Sequence, residues 1–206
     1  MNAPASPVVP ASHAARRARV AAAIGDGVAV LATSPERIRN RDTHFPYRFD
    51  SYFYYLTGFS EPEAVLVIVG GATPRSILFC RERNEEREIW DGYRHGPDRA
   101  RERFAFDEAH PVSALDATMP GLLADRPAVH YAAGADAEWD ARVMRWLNTV
   151  RAQSRAGVAA PDRLHALRTL LDDMRLVKDA GELDVMRRAG AISGAAHARA
   201  MRATRP

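Results

Sequence analysis

Apolar residues in this chain fall into short continuous blocks and into stripes at helical spacing. Residues 28–32, 64–69, 76–80 and 128–132 are blocks bounded by Gly, Pro or charged side chains, and each predicts a strand. Gly70, Gly71, Thr73 and Pro74 separate the second block from the third, a spacing that suits an antiparallel hairpin. Neither block alternates with polar residues, which predicts burial on both faces. Among the stripes, Ser12 caps a predicted helix over 14–23 with Gly25 as its stop, and Asp50 or Ser51 caps a short aromatic helix over 52–56 ending at Gly58. Residues 112–124 read as a helix interrupted near Pro120 and Gly121. The clearest amphipathic helix follows Asp136, with Trp139, Val143, Trp146 and Val150 on one face. Residues 34–47, holding Pro35 and Pro46, read as a long polar loop. Strands and helices interleave, so the predicted class is α/β: a mixed β-sheet flanked by helices.

The last third changes character. Leu164, Leu167, Leu171 and Met174 form an apolar stripe on a predicted helix begun by Asp162. A second helix opens at Asp179 with Glu182 three residues on, a capping-box start. Leu183, Met186, Ala189, Ser193, Ala196 and Ala200 would be its inner face, small enough for close packing on a neighbour. A domain boundary is expected near 174–179, followed by the first helix of a further domain.

Composition narrows the function classes. With 206 residues, 47% of them hydrophobic and 27% charged, the chain can bury a core, which excludes collagen-like, disulfide-scaffold and wholly disordered proteins. The longest apolar block, 64–69, falls far short of the ~20 residues of a membrane span. Residues 1–12, rich in Pro and Ala, lack a basic segment followed by an apolar one, so they read as a disordered lead-in and the chain as cytoplasmic. The net charge of +3 comes almost wholly from Arg, Lys178 being the only lysine. In the densest stretch, 81–103, seven arginines meet seven carboxylates. Phosphate neutralisation calls for one-signed surface, so nucleic acid is excluded as a partner.

Motifs of chemistry are mostly missing. The sequence has no phosphate loop, no G-x-S-x-G elbow and no H-E-x-x-H helix, and Gly25-Asp26-Gly27 lacks the third glycine of a dinucleotide fingerprint. The histidines at 13, 44, 95, 110, 130, 165 and 197 are scattered, none paired at i, i+4, and Asp172 and Asp173 point roughly 100° apart on a helix. Cys80 reads as a small buried hydrophobe, and Tyr52, Phe53, Tyr54, Tyr55 and Phe59 as core. No catalytic set and no metal site are expected in this chain.

Three segments carry a resemblance. The first runs from Arg39 through Asp42, Pro46 and Tyr55-Leu56-Thr57-Gly58-Phe59 into Glu61-Pro62-Glu63-Ala64. The second is Glu88-Ile89-Trp90-Asp91-Gly92. The third is Met174-Arg175-Leu176-Val177-Lys178, continued by Glu182-Leu183, Met186-Arg187-Arg188-Ala189-Gly190 and Ala196-His197. Together they resemble the N-terminal domain of the Xaa-Pro aminopeptidase (aminopeptidase P) family, in the creatinase/prolidase superfamily, over about residues 12–206.

The resemblance implies a mixed-sheet N-terminal domain over 13–175, then over 176–206 a linker and the first helix of a pita-bread catalytic domain that the chain otherwise lacks. Members of the family remove an N-terminal residue preceding proline with two divalent metals, typically manganese, which activate a water and stabilise the tetrahedral intermediate. The family's ligands, two Asp, one His and two Glu, belong to motifs absent here. The chain alone is therefore expected to be inactive and to hold no cofactor. Its implied contributions are homo-oligomer assembly and residues that help close the pocket for a proline-containing peptide. Trp90 aligns with a pocket-wall tryptophan, Arg155 with an arginine directed at the pocket, and Asp42 with an acid in the loop after the first strand. Two other readings stand beside this one: a stand-alone peptide- or protein-binding module of the same fold, and the N-terminal domain of a prolidase or creatinase-like hydrolase.

Overall fold

The computed structural model describes residues 10–205. Contacts divide the chain into two compact units, one up to Arg168 and one from Thr169 onward. The first unit holds α1 (Pro10–Ile24), β1 (Val28–Ala32), α2 (Ser51–Thr57), β2 (Val65–Val69), β3 (Arg75–Cys80), α3 (Glu85–Asp91), α4 (Gly96–Phe104), β4 (Glu108–Pro111), α5 (Leu115–Leu123), β5 (Ala128–Tyr131), α6 (Ala137–Arg151) and β6 (Arg163–Ala166). α7 (Leu167–Leu176) leads out of it, and α8 (Ala180–Ala203) belongs to the second unit.

The six strands form one sheet in the order β4-β3-β2-β1-β5-β6. β1, β2 and β3 are joined antiparallel, with Val28 opposite Val69 and Val65 opposite Phe79, while β4, β5 and β6 join parallel to their neighbours. The sheet is therefore mixed and helix-covered, as the sequence predicts. β2 is buried at every position. Val28, Val30, Val65, Val67, Ile77 and Phe79 form one core with Leu115, Met119 and Leu123 of α5 and Val143, Trp146, Leu147 and Val150 of α6. Strand alternation sends Ala29, Leu31, Leu66, Ile68 and Leu78 to the other face, where α1 lies on β1 and β2 and α4 on β3. Each such Val, Leu or Ile side chain removed from water contributes roughly 1.5–3 kcal/mol.

On that second face α1 acts as a polar clamp. His13 Nδ1 and the Arg16 guanidinium both reach the Tyr55 carbonyl, at 3.0 and 3.1 Å. Arg17, 3% exposed, donates to Leu56 O at 3.0 Å, to Phe104 O at 3.1 Å and to Ala105 O. These carbonyls are the unpaired C-terminal groups of α2 and α4, where cationic donors are favoured. Burial pulls the Arg17 pKa down to about 10, against the opposing pull of Asp107, so the guanidinium stays charged at neutral pH.

Several boundaries depart from the sequence reading. Ser12 lies inside α1, not at its cap, because the helix already runs from Pro10, and Gly25 ends it at φ 57°. Most of the expected lead-in, 1–12, lies outside the described residues. α5 continues through Pro120 without interruption. The missing N–H costs one helical bond, while Met119 and Leu123 on either side are fully buried and hold the turn in place. No helix begins at Asp162: residues 163–166 form β6, pairing with the free edge of β5, and Leu164 is half exposed while Leu167, Leu171 and Met174 are buried. α8 starts as expected, with both halves of the capping box made between Asp179 and Glu182. None of its residues is buried, so its expected inner face, Leu183 included, is a pattern without a cover.

Candidate functional site

Trp90 sits on α3. Asn84 caps that helix by accepting the Arg87 N–H at 3.0 Å, and Glu85, Glu86 and Glu88 favour its first turn electrostatically. Gly92 closes it at φ 86°. Trp90 is 86% exposed and Ile89 79%, an unusual display of apolar surface on so charged a helix. Asp42 lies in a tight turn of the 34–47 loop: the Arg39 and Asn40 N–H groups both donate to Thr43 O, and Asn40 Oδ1 accepts the Thr43 N–H. Its carboxylate is exposed and, among the described residues, accepts only a long bond from the Thr43 hydroxyl, 3.4 Å. Arg155 is exposed in a single 3-10 turn, Ser154–Ala156, closed by Gly157 at φ 82°. No hydrogen bond or ion pair joins any two of the three.

What the fold does bring together is the loop of Asp42 and the helix of Trp90. They border one cleft of about 870 Å³. The loop gives it Glu36, His44 and Tyr47; the start of α3 and the residues just before it give Glu82, Arg83, Asn84 and Arg87; Glu63 and Arg81 come from the adjoining ends of β2 and β3, and Arg94 from the segment after α3. Neither Trp90, Asp42 nor Arg155 lines the cleft itself. Tyr47 anchors the loop, donating its hydroxyl hydrogen to Ser34 O at 3.1 Å and lying 2.8 Å from the Thr33 hydroxyl. Burial raises the Tyr47 pKa, with the Thr33 bond opposing, so it is a neutral phenol there.

A buried pair fixes the segment after α3. Glu61 Oε1 accepts the His95 backbone N–H at 2.8 Å and lies 2.5 Å from its Nδ1. The imidazole is boxed by Phe59, Tyr93 and Phe104, at ring separations of 5.8, 5.0 and 5.2 Å. The sequence reading missed this pair, since 34 positions separate the partners and nothing local marks either. It also missed His130 and His165, which stack at 4.7 Å because β5 and β6 place them in register. Two imidazoles are not a metal centre. Among the described residues no three His, Cys, Asp or Glu side chains converge, so these residues do not fit a two-metal site.

Comparison with known proteins agrees with this architecture. The model of the aminopeptidase P N-terminal domain matches residues 13–131. The Xaa-Pro aminopeptidase of Escherichia coli (strain K12) is 39% identical over 180 residues, covering 86% of this chain and 41% of that protein. That of Haemophilus influenzae is 33% identical over 193 residues, covering 93% and 42%. Among solved structures, Pseudomonas aeruginosa aminopeptidase PepP superposes with a TM-score of 0.92 at 44% identity, over 97% of this chain and 46% of that one. Zn-substituted E. coli aminopeptidase P in complex with product gives 0.93 at 36% identity, over 98% and 46%. The chain thus spans less than half the length of these relatives. By its sheet, its helices and the matched segment, the chain belongs to the aminopeptidase P N-terminal domain family.

Proposed function

We propose that this chain is the substrate-gating and oligomerisation domain of an Xaa-Pro aminopeptidase, an enzyme that removes an N-terminal residue preceding proline. One observation carries the reading: nearly the whole chain superposes on aminopeptidase P structures while spanning only 46% of them. Hydrolysis then belongs to the part of those relatives that this chain does not span, together with the two manganese ions that would activate water there. The division at 13–175 and 176–206 follows from the same reading, with α8 as the first helix of the catalytic half and its bare apolar positions as surface for that half to cover.

The chain's own residues would act at the mouth of a pocket completed by other elements. Trp90, held out in solvent, supplies a flat apolar wall for a proline ring or a partner subunit. Arg155 can hold a substrate carboxylate or a gating carboxylate bidentately. Asp42, presented on its turn with no cationic partner among the described residues, can pair with such an arginine. Operation as a homo-oligomer would let these residues serve a neighbouring subunit.

The test is Xaa-Pro peptide hydrolysis with added manganese, comparing this chain with the same chain joined to a catalytic half from a relative. The joined protein should cleave and this chain should not. Trp90→Ala and Arg155→Met should lower kcat/KM in the joined protein without lowering its melting temperature. Cleavage by this chain alone, or variants as active as the parent, would overturn the assignment.

A further inference from the structure

Arg81 follows directly on β3 and is half-buried at the cleft bordered by the 34–47 loop and α3. Its Nε is sealed from solvent and has no hydrogen-bond partner, and its guanidinium makes no salt bridge among the described residues. By contrast its neighbour Arg83 is taken up by Glu85 and Glu88, both at 3.3 Å. A guanidinium that lines a cleft and meets no carboxylate among the described residues can take an acceptor that enters the cleft. The acceptor's class follows from the other side chains. Arg87 and Arg94 add positive charge to the lining, while Glu36, Glu63 and Glu82 put carboxylates on the same cleft. Glu63 is held there by a left-handed backbone, φ 53°. A dianion such as phosphate would meet those carboxylates with repulsion. A molecule carrying one carboxylate and one ammonium meets both signs.

We propose that this cleft binds a zwitterionic carboxylate, an amino acid or a short peptide, with the Arg81 guanidinium holding the carboxylate and Glu36 and Glu63 facing the ammonium. The cleft, at about 870 Å³, is large enough for a peptide of a few residues. The site needs no catalytic half, since all of these residues lie in the first compact unit.

Triglycine is the probe, titrated into the 206-residue chain at low ionic strength and followed by NMR at the Tyr47 and His44 rings. Saturable shifts at those rings are expected. Arg81→Met should weaken binding by at least about tenfold, as should replacing the probe's carboxylate with a carboxamide. Acetylating its amino group, or making Glu63→Gln, should weaken it severalfold. Arg81→Lys keeps a charge but loses the planar fork of guanidinium donors, so it should also bind more weakly, and it carries the test if Arg81→Met fails to fold. The absence of saturable shifts would overturn the proposal. So would Arg81→Lys binding as tightly as the parent, or inorganic phosphate binding more tightly than triglycine. None of these readouts involves Xaa-Pro hydrolysis, so the two proposals stand or fall separately.

Discussion

Trp146 gives its indole N–H to Asp116 Oδ1 at 2.7 Å, tying α6 to α5 at the rim of the core. Arg142, one turn earlier on α6, closes on the same carboxylate with Nε at 2.7 Å and Nη2 at 3.0 Å. The guanidinium holds the Asp116 pKa below the usual carboxylate range, burial opposes it and the indole adds to it. A depressed carboxylate pKa contributes stability that is present above the unfolded value and lost as pH falls through the folded one. Asp116→Ala leaves a buried indole N–H without an acceptor and should cost about 1–3 kcal/mol in urea unfolding at neutral pH. Asp116→Asn keeps an acceptor, should cost less, and should flatten the acid limb of the stability curve. An alanine variant as stable as the parent would show that the bridge contributes nothing.

Gly58 ends α2 at φ 67°, and a Cβ there would lie 2.8 Å from His13 Nε2. Gly25 has a similar φ of 57° but open space around it. Gly25→Ala should therefore cost only the backbone strain, about 1–2 kcal/mol. Gly58→Ala should cost more, since the clamp of α1 must also shift. Thermal unfolding of the two variants side by side measures the difference, and equal losses would mean the His13 ring gives way freely.

His130 is pushed below its ordinary pKa of 6.5, first by burial and then by the charge of His165 stacked on it. The folded state thus prefers a neutral imidazole. That preference stabilises the fold above the unfolded pKa and is lost as pH falls through the lower folded value. An NMR titration should place the His130 midpoint below 6.5, and His165→Gln should raise it part of the way back. A midpoint at or above 6.5 in the parent rules out the buried neutral state.

Burial pushes the Cys80 thiol up to about 12, Glu61 adding to the effect and Arg81 opposing it. Almost no thiolate exists at neutral pH, so a disulfide reagent should label Cys80 only through opening of β3. Labelling should be slow in buffer and fast in urea. Native-state labelling at the rate of an exposed thiol would contradict the burial.

The elements that could be read from sequence are those whose residues announce their environment. β1, β2 and β3 are buried on both faces and so appear as unbroken apolar blocks, and α6 carries its core contacts on one stripe from Val143 to Val150. The edge strands are the opposite case. Glu108-Ala109-His110-Pro111 is half-buried throughout and Arg163-Leu164-His165-Ala166 exposed throughout, so neither carries a strand pattern, and both exist because a neighbour offers a free edge. α3 and α4 were hidden in the charge-balanced 81–103 stretch, where their start signals, Asn84 and Pro97, are each one residue long. The exposure of Trp90 was foreseeable from its charged neighbours. The bare guanidinium of Arg81 was not, because which of the seven arginines meet a carboxylate, as Arg83 does, is a property of three-dimensional placement.

The order of the strands carries a lesson about synthesis. β1 lies at the middle of the sheet, and on one side it pairs with β2, available soon after Val28 has emerged, while on the other it waits for β5 and Val129. The meander of β1, β2 and β3 can form early from near neighbours in the chain. Until residue 128 has been made, β1 then presents a bare apolar edge, the kind of surface on which unfinished chains adhere to one another. The hazardous interval in producing this protein thus falls between the completion of β3 and the arrival of β5, and slow synthesis across it should favour aggregation over a finished sheet.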